Sequence, residues 1–155
     1  MTRKNVLVKV SGDKFKNPKF LEWVSSLSKR AYTVITVGGG TQINEEFKRR
    51  GLPVRKKGPA GREPGNLQEL QVARDVLEAN GADLEDTLAE QGIFVHVDVP
   101  FRSIGGVLCP IDGDLAIQEG YTRFEELYVI TTADRRDEKV EKFKNFPKVT
   151  VLPFD

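Results

Sequence analysis

The sequence predicts an α/β fold built on a mainly parallel sheet, and three observations predict it. Short β-branched runs recur along the chain, as in NVLVKV (Asn5 to Val10), YTVITV (Tyr32 to Val37) and LYVITT (Leu127 to Thr132). Segments with apolar residues at helical spacing lie between them. Two of the runs end in glycine, VKVSG and ITVGGG, where sheets of this class turn into a helix or a ligand loop. Right-handed crossovers are the expected connections. At 155 residues the chain is expected to form one domain, 1–155.

Each element has its own justification. Asn5 to Val10 alternates apolar residues and stops at Ser11-Gly12. Phe20, Trp23, Val24 and Leu27 recur as one buried face of a helix. Tyr32 to Val37 suits a sheet covered on both sides. After the glycines, Ile43 and Phe47 share a helix face; Glu45 and Glu46 lie early, Lys48 to Arg50 late, and Gly51 is the expected stop. Leu52 to Gly65, rich in Pro, Gly and cations, predicts an exposed loop or short hairpin. Asn66 should cap a helix carrying Leu67, Leu70, Ala73 or Arg74, and Leu77, which Asn80-Gly81 is expected to end. Leu84 and Leu88 predict a further short helix, capped by Asp83 and closed at Gly92. Ile93 to Val97 and Gly106 to Ile111 are expected strands, followed by Leu127 to Thr132, a helix over Asp137 to Phe143 and a last strand, Val149 to Leu152.

Composition excludes several chemistries. Lys+Arg number 24 against Asp+Glu 23, so no global basic field favours nucleic acid, and no nucleic-acid partner is expected. No apolar run is long enough to cross a bilayer, and MTRKNVLVKV has no signal-peptide character, so no membrane partner and a cytoplasmic setting are expected. Cys109 is the only cysteine and His96 the only histidine, which rules out an internal disulfide, clustered zinc ligands and a Ser-His-Asp triad. No metal site is expected. Cys109 in GVLCP reads as a small buried hydrophobe and His96 in IFVHVDV as a locally bonded strand residue.

The chemistry concentrates elsewhere. Lys9 sits inside an apolar strand near its carboxyl end, a costly position unless its ammonium reaches an anion, a cleft or water at an edge. Gly12, Gly38, Gly39 and Gly40 let backbone approach a ligand, and the helix start that follows favours an anion. The same glycines also fit a plain strand-to-helix turn. No Walker A loop and no G-x-G-x-x-G occurs. Arg62 fits either a solvated loop or an anion clamp, and Asp112 and Asp114 either a turn around Gly113 or a site. Arg55, Lys56 and Lys57 fit a solvated face or an electropositive rim.

Taken together, VLVKVSG, VITVGGGTQI, the GREPGNLQELQ segment with the helix after it, IDGDLA and ELYVITTADRR resemble, in order, motifs of the amino acid kinase family, acetylglutamate and uridylate kinases among them. The resemblance implies a three-layer αβα fold of carbamate kinase type, shortened at its C-terminal side. It implies that Lys9 contacts a transferred phosphoryl group and that Asp114 orients the lysines. Gly12, Gly38, Gly39 and Gly40 would offer amides to phosphate or acceptor oxygens, Arg62 would grip an anionic acceptor group, and Thr131 and Thr132 would open the nucleotide side. ATP and Mg²⁺ are the implied cofactors, a small carboxylate or phosphate the implied substrate, and a homodimer or higher oligomer the implied assembly.

The chain stops where family kinases continue into the half that holds adenine and supplies a second lysine. Three readings therefore stand side by side: a small kinase, an inactive anion-binding or regulatory module of the same fold, and a subunit whose nucleotide half comes from a partner.

Overall fold

The computed structural model describes residues 2–155. The chain forms β1 (Lys4–Val10), α1 (Pro18–Arg30), β2 (Ala31–Val37), α2 (Gly40–Arg49), a small hairpin β3 (Lys57–Gly58) and β4 (Gly61–Arg62), and α3 (Leu67–Glu90). It continues with β5 (His96–Asp98), a second hairpin β6 (Phe101–Ile104) and β7 (Val107–Pro110), α4 (Gly113–Gly120), β8 (Glu126–Thr131), α5 (Arg136–Lys142) and β9 (Val149–Pro153). Five strands form one sheet in the order β5-β2-β1-β8-β9, and every pairing in it is parallel. The α/β class and the parallel sheet are as the sequence predicts.

Alternation along β1 explains how both faces are covered. Val6, Val8 and Val10 point to one side, where Phe20, Leu21, Val24 and Leu27 of α1 and Leu84 and Leu88 of α3 complete a core. Leu7 points to the other, joining Leu127 and Val129 of β8, Ile117 of α4 and Phe143 after α5. A third cluster packs Ile43 and Phe47 of α2 against Val72, Ala73 and Leu77 of α3.

Local signals fix most element ends. Asn17 caps α1 by accepting from the Lys19 and Phe20 amides, with Pro18 at the first helical position. Asn66 caps α3 by accepting from the Glu69 amide at 2.9 Å, and the Glu69 carboxylate accepts in return from the Gly65 amide.

Two expectations need correction. Asn80-Gly81 does not end a helix, and no second helix starts at Asp83: α3 runs unbroken for 24 residues. The reason is tertiary. A Cβ on Gly81 would lie 3.3 Å from Val99 Cγ2 and 3.7 Å from Val97 Cγ1, so the missing side chain lets α3 settle against the sheet instead of stopping it. Asn80 donates its side-chain N–H to the Gly38 carbonyl at 3.1 Å, tying mid-helix to the glycine turn. Nor does Gly106 to Ile111 join the main sheet. It supplies β7 of an antiparallel hairpin whose turn holds Gly105 and Gly106 at φ 59° and 81°, the geometry of a tight two-residue connection. The strand expected at Ile93 to Val97 is shorter and shifted, to His96–Asp98, and the Asp112-to-Asp114 segment opens α4.

Candidate functional site

The sheet order places a topological switch at β1. The chain moves from β1 to β2 on one side, while β8 joins β1 on the other. Crevices outside the carboxyl ends of strands at such points are where open α/β sheets collect ligands. A pocket of about 460 Å³ lies there. Its walls come from Lys9, Ser11 and Gly12 after β1, from Gly38 to Thr41 after β2, from the β3–β4 hairpin, from the start of α4 and from α5. Ile43, Ala73, Leu77 and Ile111 supply an apolar wall.

Asp114 is the electrostatic centre. It is 1% exposed, lying in the first turn of α4, and its carboxylate meets three ammonium groups. Lys139 reaches Oδ2 at 2.5 Å and Lys142 reaches the same oxygen at 2.7 Å. Lys9 stands 3.6 Å from Oδ1, outside hydrogen-bond reach, and that oxygen has no hydrogen-bond partner. Burial opposes ionisation of Asp114, but Lys9, Lys139 and Lys142 outweigh it and hold the carboxyl below its ordinary value. Lys9 shifts the other way for its type: burial lowers its ammonium, the pull of Asp114 opposes this, and Lys139 adds to the depression.

Lys9 gets its place from β1. It pairs with Thr36 of β2 and Val129 of β8 at the carboxyl end, and it points to the face that α4 covers. Gly113 makes room for its stem, since a Cβ there would fall 2.8 Å from Lys9 Cε. Lys139 and Lys142, one helical turn apart, approach from α5, the helix that follows β8.

The glycine turn forms the opposite wall. None of Gly38, Gly39 and Gly40 has positive φ, so the left-handed region is not what selects them. At Gly39 space is: a Cβ there would lie 2.9 Å from Asn80 Nδ2 and 3.1 Å from Leu77 Cδ2, whereas Gly38 and Gly40 would meet nothing closer than 3.5 Å. Helix α2 starts here without a side-chain cap, leaving first-turn amides to the pocket. Asp13 does not cap the amides; it accepts from Thr41 Oγ1 and Gln42 Nε2, both at 2.9 Å, and ties the β1–α1 loop to α2. Lys57 stands over this turn, its Nζ 3.5 Å from where a Gly40 Cβ would be. Arg62 is half-buried on the Phe47 ring and donates to Asn44 Oδ1 at 2.8 Å, and its Nη1 is buried without a partner.

Six cationic side chains line the pocket (Lys9, Lys57, Arg62, Arg135, Lys139 and Lys142) against four acidic ones (Asp13, Asp112, Asp114 and Glu138), a surplus of two positive charges. The acids are engaged already: Asp13 with α2, Asp112 as the cap of α4, Asp114 with the lysines and Glu138 with Arg135 at 3.9 Å. An incoming anion therefore meets cations with spare capacity.

Lys9, Gly12, Gly38, Gly39, Gly40, Arg62 and Asp114 thus converge on one pocket. Thr131 and Thr132 do not line it; Thr131 is buried at the end of β8 and accepts from the Phe154 amide at 2.9 Å. Lys57, from the basic run read as a solvated face or an electropositive rim, lines the pocket, whereas Lys139 and Lys142 escape sequence reasoning. The available signal was the i, i+3 lysine pair in DEKVEKF, on a helix that follows a central strand. His96 and Cys109 lie outside the pocket, and among the described residues no His, Cys, Asp and Glu cluster fits a metal ion. No helix among them is long and apolar enough to cross a membrane. Neither protein-family profiles nor curated proteins match the chain.

Proposed function

We propose that the chain captures a small molecule bearing a phosphate or carboxylate in the switch-point pocket and positions it for phosphoryl transfer of the amino acid kinase type. The observation that carries this is the single buried carboxylate of Asp114 among three lysines. One negative charge cannot balance three positive ones, and a dianionic group beside Lys9 would. Phosphoryl transfer asks a protein mainly for positioning and for cations around the moving charge, and this cluster supplies both. Lys9, Lys139 and Lys142 would hold the phosphoryl oxygens, and Asp114 would keep their heads together. The uncapped start of α2, with Lys57 and Arg62, would hold the other anionic end of the ligand.

The donor set fits the phosphates of ATP, whose part is to supply the phosphoryl group. Its four carboxylates are already engaged, that of Asp114 by the lysines, so no step is assigned to a protein-bound metal. The position of Thr131 and Thr132 outside the pocket favours a second reading, an anion-binding module without transfer.

Calorimetry separates the two. Heat with both pyrophosphate and ATP–Mg²⁺ supports transfer; heat with pyrophosphate alone supports the binding module. Silence with both at millimolar ligand removes the two readings together.

A further inference from the structure

Lys9 differs from its two companions in a way that the anion reading does not use. Lys139 and Lys142 both hydrogen-bond to Asp114 Oδ2, whereas Lys9 Nζ lies 3.6 Å from Oδ1 and makes no hydrogen bond to it. Of the three amines it has the least to lose by giving up its proton. Its side chain is 13% exposed, against 41% for Lys142, yet it lines the pocket and so meets whatever enters. Two positive neighbours on one carboxylate leave a third ammonium poorly compensated, the arrangement that turns a lysine into a nucleophile. Across the pocket, Lys57 and the uncapped first turn of α2 form a seat for an anion.

We infer that Lys9 is a reactive amine that condenses with the carbonyl carbon of a phosphate-bearing aldehyde seated against the glycine turn. The inference rests on the anion-holding reading of the pocket. Once the Lys9 ammonium has lost a proton to solvent, its nitrogen lone pair attacks the carbonyl carbon, a C–N bond forms, and the C=O π pair moves to oxygen, giving a carbinolamine after proton transfer from nitrogen to oxygen. The Lys139 ammonium then protonates the hydroxyl, which leaves as water as the nitrogen lone pair forms the C=N bond. The resulting iminium returns one proton to Lys139. Amine and aldehyde become imine and water, and no oxidant or reductant takes part.

Burial depresses the basicity of Lys9, and the Lys139 and Lys57 charges add to this against the pull of Asp114 and Asp112. Each pKa unit of depression raises the neutral fraction at neutral pH about tenfold.

The test treats the full-length protein with pyridoxal 5′-phosphate, traps imines with borohydride and maps labelled peptides over time. The expected result is modification at Lys9 at least about tenfold faster than at exposed lysines, slowed by inorganic phosphate and slower with pyridoxal, which lacks the phosphate. Mapping the wild-type protein makes the result independent of how any variant folds. Lys9→Arg should lose the fast phase. Label confined to exposed lysines, or equal at Lys9 and Lys142, overturns the proposal. Fast labelling of Lys9 at the same rate with pyridoxal, indifferent to phosphate, overturns instead the anion reading on which it rests.

Discussion

Asp114 and the lysines around it define what can change at the residue scale. Removing the carboxylate leaves Lys139, whose side chain is 7% exposed, beside two other ammonium groups with nothing to offset them. Breaking a buried pair in this way costs about 3–5 kcal/mol, and the partial exposure of Lys142 puts Asp114→Asn at about 3 kcal/mol in urea denaturation. The pH dependence follows from the directions of the shifts. Asp114 has a depressed folded value, so its contribution is complete above the ordinary carboxylate value of about 3.9 and fades only as pH falls through the lower folded value. Lys9 is depressed too, so the unfolded chain binds its proton more readily and stability from this site rises with pH. Consequently, the stability of Lys9→Met relative to wild type should fall as pH rises toward the ordinary lysine value of about 10.4. A relative stability that climbs over that range would place Lys9 among ordinary paired lysines. Lys9 could be picked from the sequence because a lysine in an apolar strand demands a reason. Lys139 and Lys142 could not, because a lysine-rich helix near the end of a chain looks like any solvated face until the fold turns it inward.

Elements were readable where a local rule governs them and unreadable where packing overrides it. Asn66 caps α3 as its sequence position predicts, because capping depends on neighbours in sequence. Asn80-Gly81 carries the same local signal as a helix end, yet contacts with Val97 and Val99 keep α3 continuous. Gly81→Val should therefore cost about 1–3 kcal/mol by overpacking despite the better helix propensity of valine, measured by chemical denaturation. If the variant is as stable as wild type, the close approach of α3 to the sheet is not what holds the glycine. Asn80→Ala removes the side-chain donor to the Gly38 carbonyl. It should loosen the glycine turn and weaken pyrophosphate binding about tenfold while costing about 1 kcal/mol of stability. Gly106 to Ile111 forms the expected strand, but as β7 of a hairpin, because four β-branched or apolar residues look alike in a central strand and in a ribbon, and only the pairing partner tells them apart.

At the scale of the whole molecule, the parallel sheet followed from strands separated by helices, but its order did not. The β5-β2-β1-β8-β9 arrangement creates the switch point, brings α5 round to β1 and so turns scattered residues into one site. The glycine turn, Lys9, Arg62 and Asp114 are spread from residue 9 to residue 114, and only the crossover from β5 to β8 makes them neighbours. The most direct test of that convergence is amide NMR during titration with pyrophosphate, on wild type and on Lys139→Met. The account predicts saturable shifts at Gly12 and at Gly38 to Gly40, with affinity lowered at least about tenfold in the variant as one charge-assisted contact is lost. Shifts scattered over exposed lysines with no saturation at the glycine turn, or equal affinity in the two proteins, would contradict it.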